Sequence, residues 1–100
     1  MNRNISIPQD KIADFCRRNK IRKLSLFGSV LRDDFGPDSD VDVLVEFEAD
    51  AGWSLLDLVE MEEQLGETLG RKVHFVEKAG LRNPFRRHAI LRGAEVIYAS

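Results

Sequence analysis

Apolar positions recur along the chain in two periods, close to 3.6 and to 2, and the switches between them mark out the elements. Over residues 8–19, Ile12, Phe15 and Cys16 share one face at helical spacing, and Pro8 suits a first-turn position, so the stretch predicts a helix. RKLSLF, residues 22–27, alternates as a strand does, with Leu24 and Leu26 on one side. Gly28 and Ser29 turn the chain into a short helix over about 29–35, and GPDS follows as a loop. DVDVLVEFE, 40–48, is the clearest strand, with Val41, Val43, Leu44, Val45 and Phe47, and ADAG is a second loop. Ser54 and Asp57 have the spacing of a capping box. The helix they open has one apolar face in Leu55, Leu58, Val59, Leu65 and Leu69, and Gly70 ends it. RKVHFVEK, 71–78, predicts a third strand. Asn83 and Pro84 open a last helix to about Arg92, and Val96-Ile97-Tyr98 reads as a short terminal strand. The order implies α/β or α+β architecture: one domain over 1–100, a small mixed β-sheet flanked by helices.

Composition fits this outline. One hundred residues, 43% hydrophobic and 32% charged, make one globular domain of modest size. A net charge of −2 offers no global attraction to nucleic acid or anionic membranes, so direct nucleic acid binding is not expected. No apolar run is long enough to span a bilayer, and MNRNISIPQDK has no apolar signal core, so a cytoplasmic location is expected. The single cysteine, Cys16, excludes an internal disulfide and reads as a small core residue.

Asp40 and Asp42 do not fit a purely structural strand. Side chains alternate, so both carboxylates project from one face, their Cα atoms roughly 6.5 Å apart. Two like charges at that spacing repel. A divalent cation removes the conflict, and Mg²⁺ characteristically takes one or two carboxylates and completes its shell with phosphate oxygens and water. A solvated strand end, or a turn capped by Ser39, is the alternative. Gly28-Ser29 favours the metal: glycine lets backbone N–H groups approach a phosphate, serine adds a hydroxyl, and Arg32 lies within reach of an anion. If the strands at 24–27 and 40–47 are neighbours, a phosphate cradle and a metal pair lie side by side, as phosphoryl or nucleotidyl transfer requires.

Gly28-Ser29, ten residues, then Asp40-x-Asp42 resembles the GSx10DxD signature of the DNA polymerase β-like nucleotidyltransferase superfamily. LFGSVLRDDFGPDSDVDVLVEF looks like its minimal nucleotidyltransferase (MNT) branch, with Arg32 matching the usual arginine and Ser39 the serine before the first aspartate. The helix LLDLVEMEEQLGETLGRKV, Ile90-Leu91 and Tyr98 extend the resemblance over nearly the whole chain. The resemblance implies a polymerase β-like nucleotidyltransferase fold and an antitoxin whose partner is a HEPN-domain RNase toxin. Proteins of this kind use ATP and Mg²⁺ to transfer AMP to a tyrosine of that toxin. By the same resemblance Asp40 and Asp42 are metal ligands and catalytic, and Gly28, Ser29, Arg32 and Ser39 bind the nucleotide.

The chain departs from the family pattern at one position. A third carboxylate is expected in the middle of the next strand, and His74 stands there. Glu77 points to the opposite face by parity, and Glu46 lies roughly 13 Å along the strand from Asp42. His74 is a poor Mg²⁺ ligand but a competent base. Two functions therefore stay open: an AMP transferase with His74 in the catalytic set, or a module of the same fold, weak or inactive, that neutralises its toxin by binding alone. A small-molecule transferase would need an acceptor pocket of its own, usually from an added domain. Two further features stay open. Arg82, Arg86, Arg87, His88 and Arg92 form either a solvated basic face or a contact for an acidic partner, ATP phosphates or RNA, and Trp53 either caps the core or anchors a partner.

Overall fold

Pro8 is the N-cap of the first helix rather than its first-turn residue: its φ/ψ of −77°/91° is extended, and its carbonyl accepts from Ile12 N at 3.0 Å. The computed structural model describes residues 7–31, 36, 39–80 and 82–100, except the side chains of Ser29 and Ala79. Within them the elements run α1 (Gln9–Arg18), β1 (Ile21–Phe27), β2 (Val41–Phe47), α2 (Leu55–Leu69), β3 (Val73–Glu77), α3 (Pro84–Gly93) and β4 (Glu95–Ala99). Short 3₁₀ turns follow β1 (Gly28–Leu31) and β3 (Lys78–Gly80). The helix expected over 29–35 is thus a 3₁₀ turn as far as Leu31, and the remainder of that expectation lies outside the described residues.

The strands form one mixed sheet in the order β3-β2-β1-β4. β1 is antiparallel to β2 and β4, and β2 is parallel to β3, with α2 as the crossover. One face of the sheet carries the core. Leu24, Leu26, Val41, Val43, Val45, Val73 and Ile97 pack there against Ile12, Phe15 and Cys16 of α1 and Met61, Leu65 and Leu69 of α2. Each large side chain buried in this way contributes about 1.5–3 kcal/mol of transfer free energy.

Helix α2 begins and ends as its sequence specifies. Ser54 Oγ accepts from Asp57 N at 3.2 Å while Asp57 Oδ2 accepts from Ser54 N at 2.9 Å, the reciprocal capping box. Gly70 closes the helix in the left-handed region at φ +70°. The apolar face differs from the expected one. The buried stripe runs through Met61, Leu65 and Leu69, with Leu58 packed at its edge, whereas Leu55, Leu56 and Val59 are exposed. Residues 58, 61, 65 and 69 fall within one narrow arc at 100° per residue; Leu56 and Val59 fall outside it, and Leu55 lies in the first turn.

The acidic side chains of α2 divide between two environments. Glu60, Glu63 and Glu67 are exposed, but Glu62 turns inward and its Oε2 accepts from Phe75 N at 2.7 Å. That bond ties α2 to the outer strand β3. Trp53 caps the core, with its indole N–H donating to Asn19 O at 2.7 Å across the start of α2. Asn83 caps α3 through bonds from Phe85 N and Arg86 N, and Pro84 takes the first turn. No residue of α3 is buried, and Arg82, Arg86, Arg87, His88 and Arg92 are all exposed.

Candidate nucleotide and metal site

The second face of the sheet carries the chemistry. Cross-strand partners share a face, so register places Phe27, Asp42 and His74 in one row across β1, β2 and β3, with Asp42 in the middle. His74 therefore occupies the strand position beside Asp42 where the resemblance expects the third acid, and its side chain is exposed. Asp42 is half-buried; Asp40, one residue before β2, is exposed.

Gly28 lies against this row. Its φ is +76°, a region costly for residues with a Cβ. A Cβ built on it would stand 2.5 Å from Asp42 Oδ2 and 3.4 Å from Asp42 Cγ. Glycine is therefore required twice at position 28, for its backbone angle and for the room it leaves a carboxylate. The turn backbone and Asp42 are in direct apposition, which is the juxtaposition inferred from the sequence. The backbone of Ser29 follows in the same turn; its side chain, and Arg32, lie outside the described residues.

The approach to Asp40 is held by contacts the sequence did not announce. Arg71, just past the end of α2, donates from Nη2 to Gly36 O at 2.6 Å and to Ser39 O at 2.7 Å. Ser39 Oγ accepts from Gly36 N at 3.0 Å, Ser39 N donates to Gly36 O at 3.1 Å, and Val41 N donates to Lys72 O at 2.9 Å. The loop is thus pinned to the segment entering β3 immediately before the two aspartates. The hydroxyl of Ser39, expected at the nucleotide, shapes this turn. Arg71 is separated from its acceptors by more than thirty residues, so no local pattern signals the clamp.

Farther along the same face, Glu46 accepts from Arg22 Nη2 at 3.1 Å and Lys78 Nζ at 3.4 Å, its side chain 9% exposed. Burial acts to raise its pKa, but the bonds from Arg22 and Lys78 and the nearby Lys23 outweigh it and hold the carboxyl below its ordinary range. Glu46 is committed to that ion-pair cluster. Cys16 is excluded from chemistry as well. Burial pushes its thiol up to about 12, against a small opposing effect of Arg17, leaving no thiolate near neutrality.

Among the described residues, no three His, Cys, Asp or Glu side chains form a group able to hold a metal by themselves. The donor set is two carboxylates beside a turn whose backbone is open for lack of a Cβ. That suits Mg²⁺ completed by phosphate oxygens and water, and does not suit a metal needing a full protein shell.

A mixed four-stranded sheet with helices over its core face, delivering a glycine turn against an Asp-x-Asp strand, is the framework of a polymerase β-like nucleotidyltransferase. The nucleotidyltransferase domain model matches residues 10–97. The protein adenylyltransferase MntA of Thermococcus cleftensis is 41% identical over 78 residues, 78% of this chain and 74% of that protein. A solved structure described provisionally as a minimal nucleotidyltransferase is 36% identical, with a TM-score of 0.70 over 86% of this chain and 85% of the other. A chain from the complex of a tri-AMPylated Shewanella oneidensis HEPN toxin with an MNT antitoxin shares the fold, with a TM-score of 0.62, 23% identity, and coverage of 92% of this chain and 70% of that one. The protein belongs to the nucleotidyltransferase domain family, as a minimal member of the polymerase β-like fold. No helix among the described residues is long and apolar enough to cross a membrane.

Proposed function

We propose that this protein is an antitoxin that transfers AMP from Mg²⁺–ATP to a tyrosine of a HEPN-domain toxin. The observation that carries the nucleotide site is the apposition of Gly28 and Asp42, with no space for a Cβ between them. The 41% identity to a protein adenylyltransferase supports the reaction class, and the shared fold with a chain from an AMPylated HEPN toxin complex is consistent with a HEPN toxin as partner; the tyrosine follows from the family resemblance alone.

In this reading the backbone N–H groups of the Gly28-Ser29 turn hold the phosphates, and Asp40 and Asp42 hold the metal. Bound Mg²⁺ would neutralise charge on the phosphate oxygens. The tyrosine oxygen forms a bond to the α-phosphorus, the bond from that phosphorus to the bridging oxygen breaks, and pyrophosphate leaves with the electron pair. The phenolic proton passes to a base. His74, exposed and in the row with Asp42, is the imidazole placed to act as that base. The same histidine favours a second reading, in which toxin is neutralised by binding alone, because it leaves the site one carboxylate short of the pattern it resembles.

Incubation of the protein with a HEPN toxin, Mg²⁺ and ATP labelled at the α-phosphate separates the two. The first reading expects label on a toxin tyrosine, and His74→Ala removes most of it. If the site instead needs a carboxylate, transfer is slow and His74→Asp raises it by roughly 10²–10⁴-fold. A toxin that stays unlabelled with either protein yet is still blocked establishes binding alone.

A further inference from the structure

A groove of about 390 Å³ runs between α2 and the edge strand β3, and its lining includes Leu55, Val59 and Glu62 of α2, Phe75 and Val76 of β3, and Arg86 at the start of α3. Past Val59 and Glu62 it continues into a hollow of about 510 Å³ bordered by Glu63 and Glu67. The apolar side chains that α2 gives to the groove lie open: Leu55 is 79% exposed and Val59 42%. Neighbouring exposed apolar side chains inside a charged rim mark an interaction surface. We propose that a second copy of this chain covers the groove, with α3 of each copy laid against α2 of the other about a two-fold axis.

Charge argues for that occupant. Helix α2 carries Asp57, Glu60, Glu62, Glu63 and Glu67 and no basic residue, whereas α3 carries Arg86, Arg87 and Arg92 and no acidic one. Among the described residues, no ion pair joins the two helices within one chain. Helix α3 also has apolar surface to cover: none of its residues is buried, and Phe85, next to Arg86, is 85% exposed. Because Arg86 borders the groove on its own chain, acidic, apolar and basic groups surround one surface and make it complementary to itself. A two-fold axis then sets base on acid twice, the isologous arrangement of a closed dimer. The contact is between helix faces rather than strand edges. Glu62 already accepts from Phe75 N at 2.7 Å, so an N–H that a strand added to β3 would pair with is taken. Association needs no nucleotide, so it stands or falls independently of the function proposed above.

Sedimentation equilibrium of the full chain without ligand tests the pairing. Wild type is expected to be a dimer. Val59→Glu puts a charge into the groove from an exposed helix position, where the fold should tolerate it, and should weaken association at least about tenfold. Reversing α2 with Glu63→Lys and Glu67→Lys, or α3 with Arg86→Glu and Arg87→Glu, should give monomers. An equimolar mixture of the two reversed proteins should dimerise again, because each helix then meets the opposite sign in its partner; proteins that had failed to fold would not recover on mixing. Wild type that stays monomeric up to about 100 µM overturns the proposal. So does a dimer that all three variants leave intact, or reversed proteins that remain monomeric when mixed. A monomer in which Val59→Glu instead abolishes binding of a HEPN toxin assigns the groove to the toxin and overturns self-association.

Discussion

Replacing Gly28 with alanine tests the tightest contact in the site. The backbone there lies at φ +76°, and an L-residue in the left-handed region costs roughly 1–2 kcal/mol, partly offset by about 0.4–1 kcal/mol from the less flexible unfolded chain. The new Cβ would stand 2.5 Å from Asp42 Oδ2, so the carboxylate or the turn must withdraw by at least several tenths of an ångström. Together the two effects should cost about 1–3 kcal/mol, a fall in melting temperature of roughly 5–20 °C for a domain of this size. Gly70→Ala supplies the control. Its φ is +70° but nothing lies within 4 Å of its Cβ, so it carries the backbone cost without the contact at Asp42. Melting curves with and without Mg²⁺–ATP then separate fold from site. Saturating ligand at 100 times its dissociation constant stabilises by about 2.7 kcal/mol, and Gly70→Ala should keep that shift while Gly28→Ala loses most of it. A Gly28→Ala protein with an unchanged ligand-induced shift would refute the claim that the turn and Asp42 form one site.

Glu46 makes stability depend on pH, because its ion pairs depress its folded-state pKa. The stabilisation is fully present above the unfolded carboxyl pKa and is lost as pH falls through the lower folded value. Glu46→Gln should therefore destabilise by about 1–2 kcal/mol at pH 7, with the gap to wild type closing as pH drops below about 4, as read by denaturant titration; a gap that is constant with pH would remove the ion pairs from the account. Arg71→Ala should cost about 1–3 kcal/mol through its two charged hydrogen bonds to the loop before Asp40. It should also weaken Mg²⁺–ATP binding in calorimetry, and a loss of stability with no loss of affinity would make the clamp purely structural.

The elements that depend on local chemistry were legible in the sequence. The Ser54–Asp57 box, the Asn83 cap, Gly70 and the alternation of β1 and β2 each act within a few residues, and each stands where the pattern put it. Pairing the Gly-Ser turn with the Asp-x-Asp strand needed only the guess that two consecutive strands are neighbours, and the register makes them so. Features set by long-range packing were not legible. Met61 replaces Val59 in the buried stripe because the sheet, not the helix, selects which arc faces it. The inward turn of Glu62 depends on a backbone N–H of β3, thirteen residues away, that no local pattern announces. The loop clamp of Arg71 and the indole bond of Trp53 join residues more than thirty apart, a separation at which one sequence carries no periodic signal.

Binding of Mg²⁺–ATP by wild type and by Asp42→Asn, measured by calorimetry with and without Mg²⁺, tests the central claim most directly. The substitution keeps the size of a half-buried side chain on β2 and removes its charge, so the fold should persist, as a melting curve without metal checks. Wild type should bind ATP only when Mg²⁺ is present, and Asp42→Asn should lose at least about tenfold in that affinity, the loss of one carboxylate ligand from a site that has two. An Asp42→Asn protein that binds Mg²⁺–ATP as tightly as wild type would contradict the assignment of this face as a metal–nucleotide site.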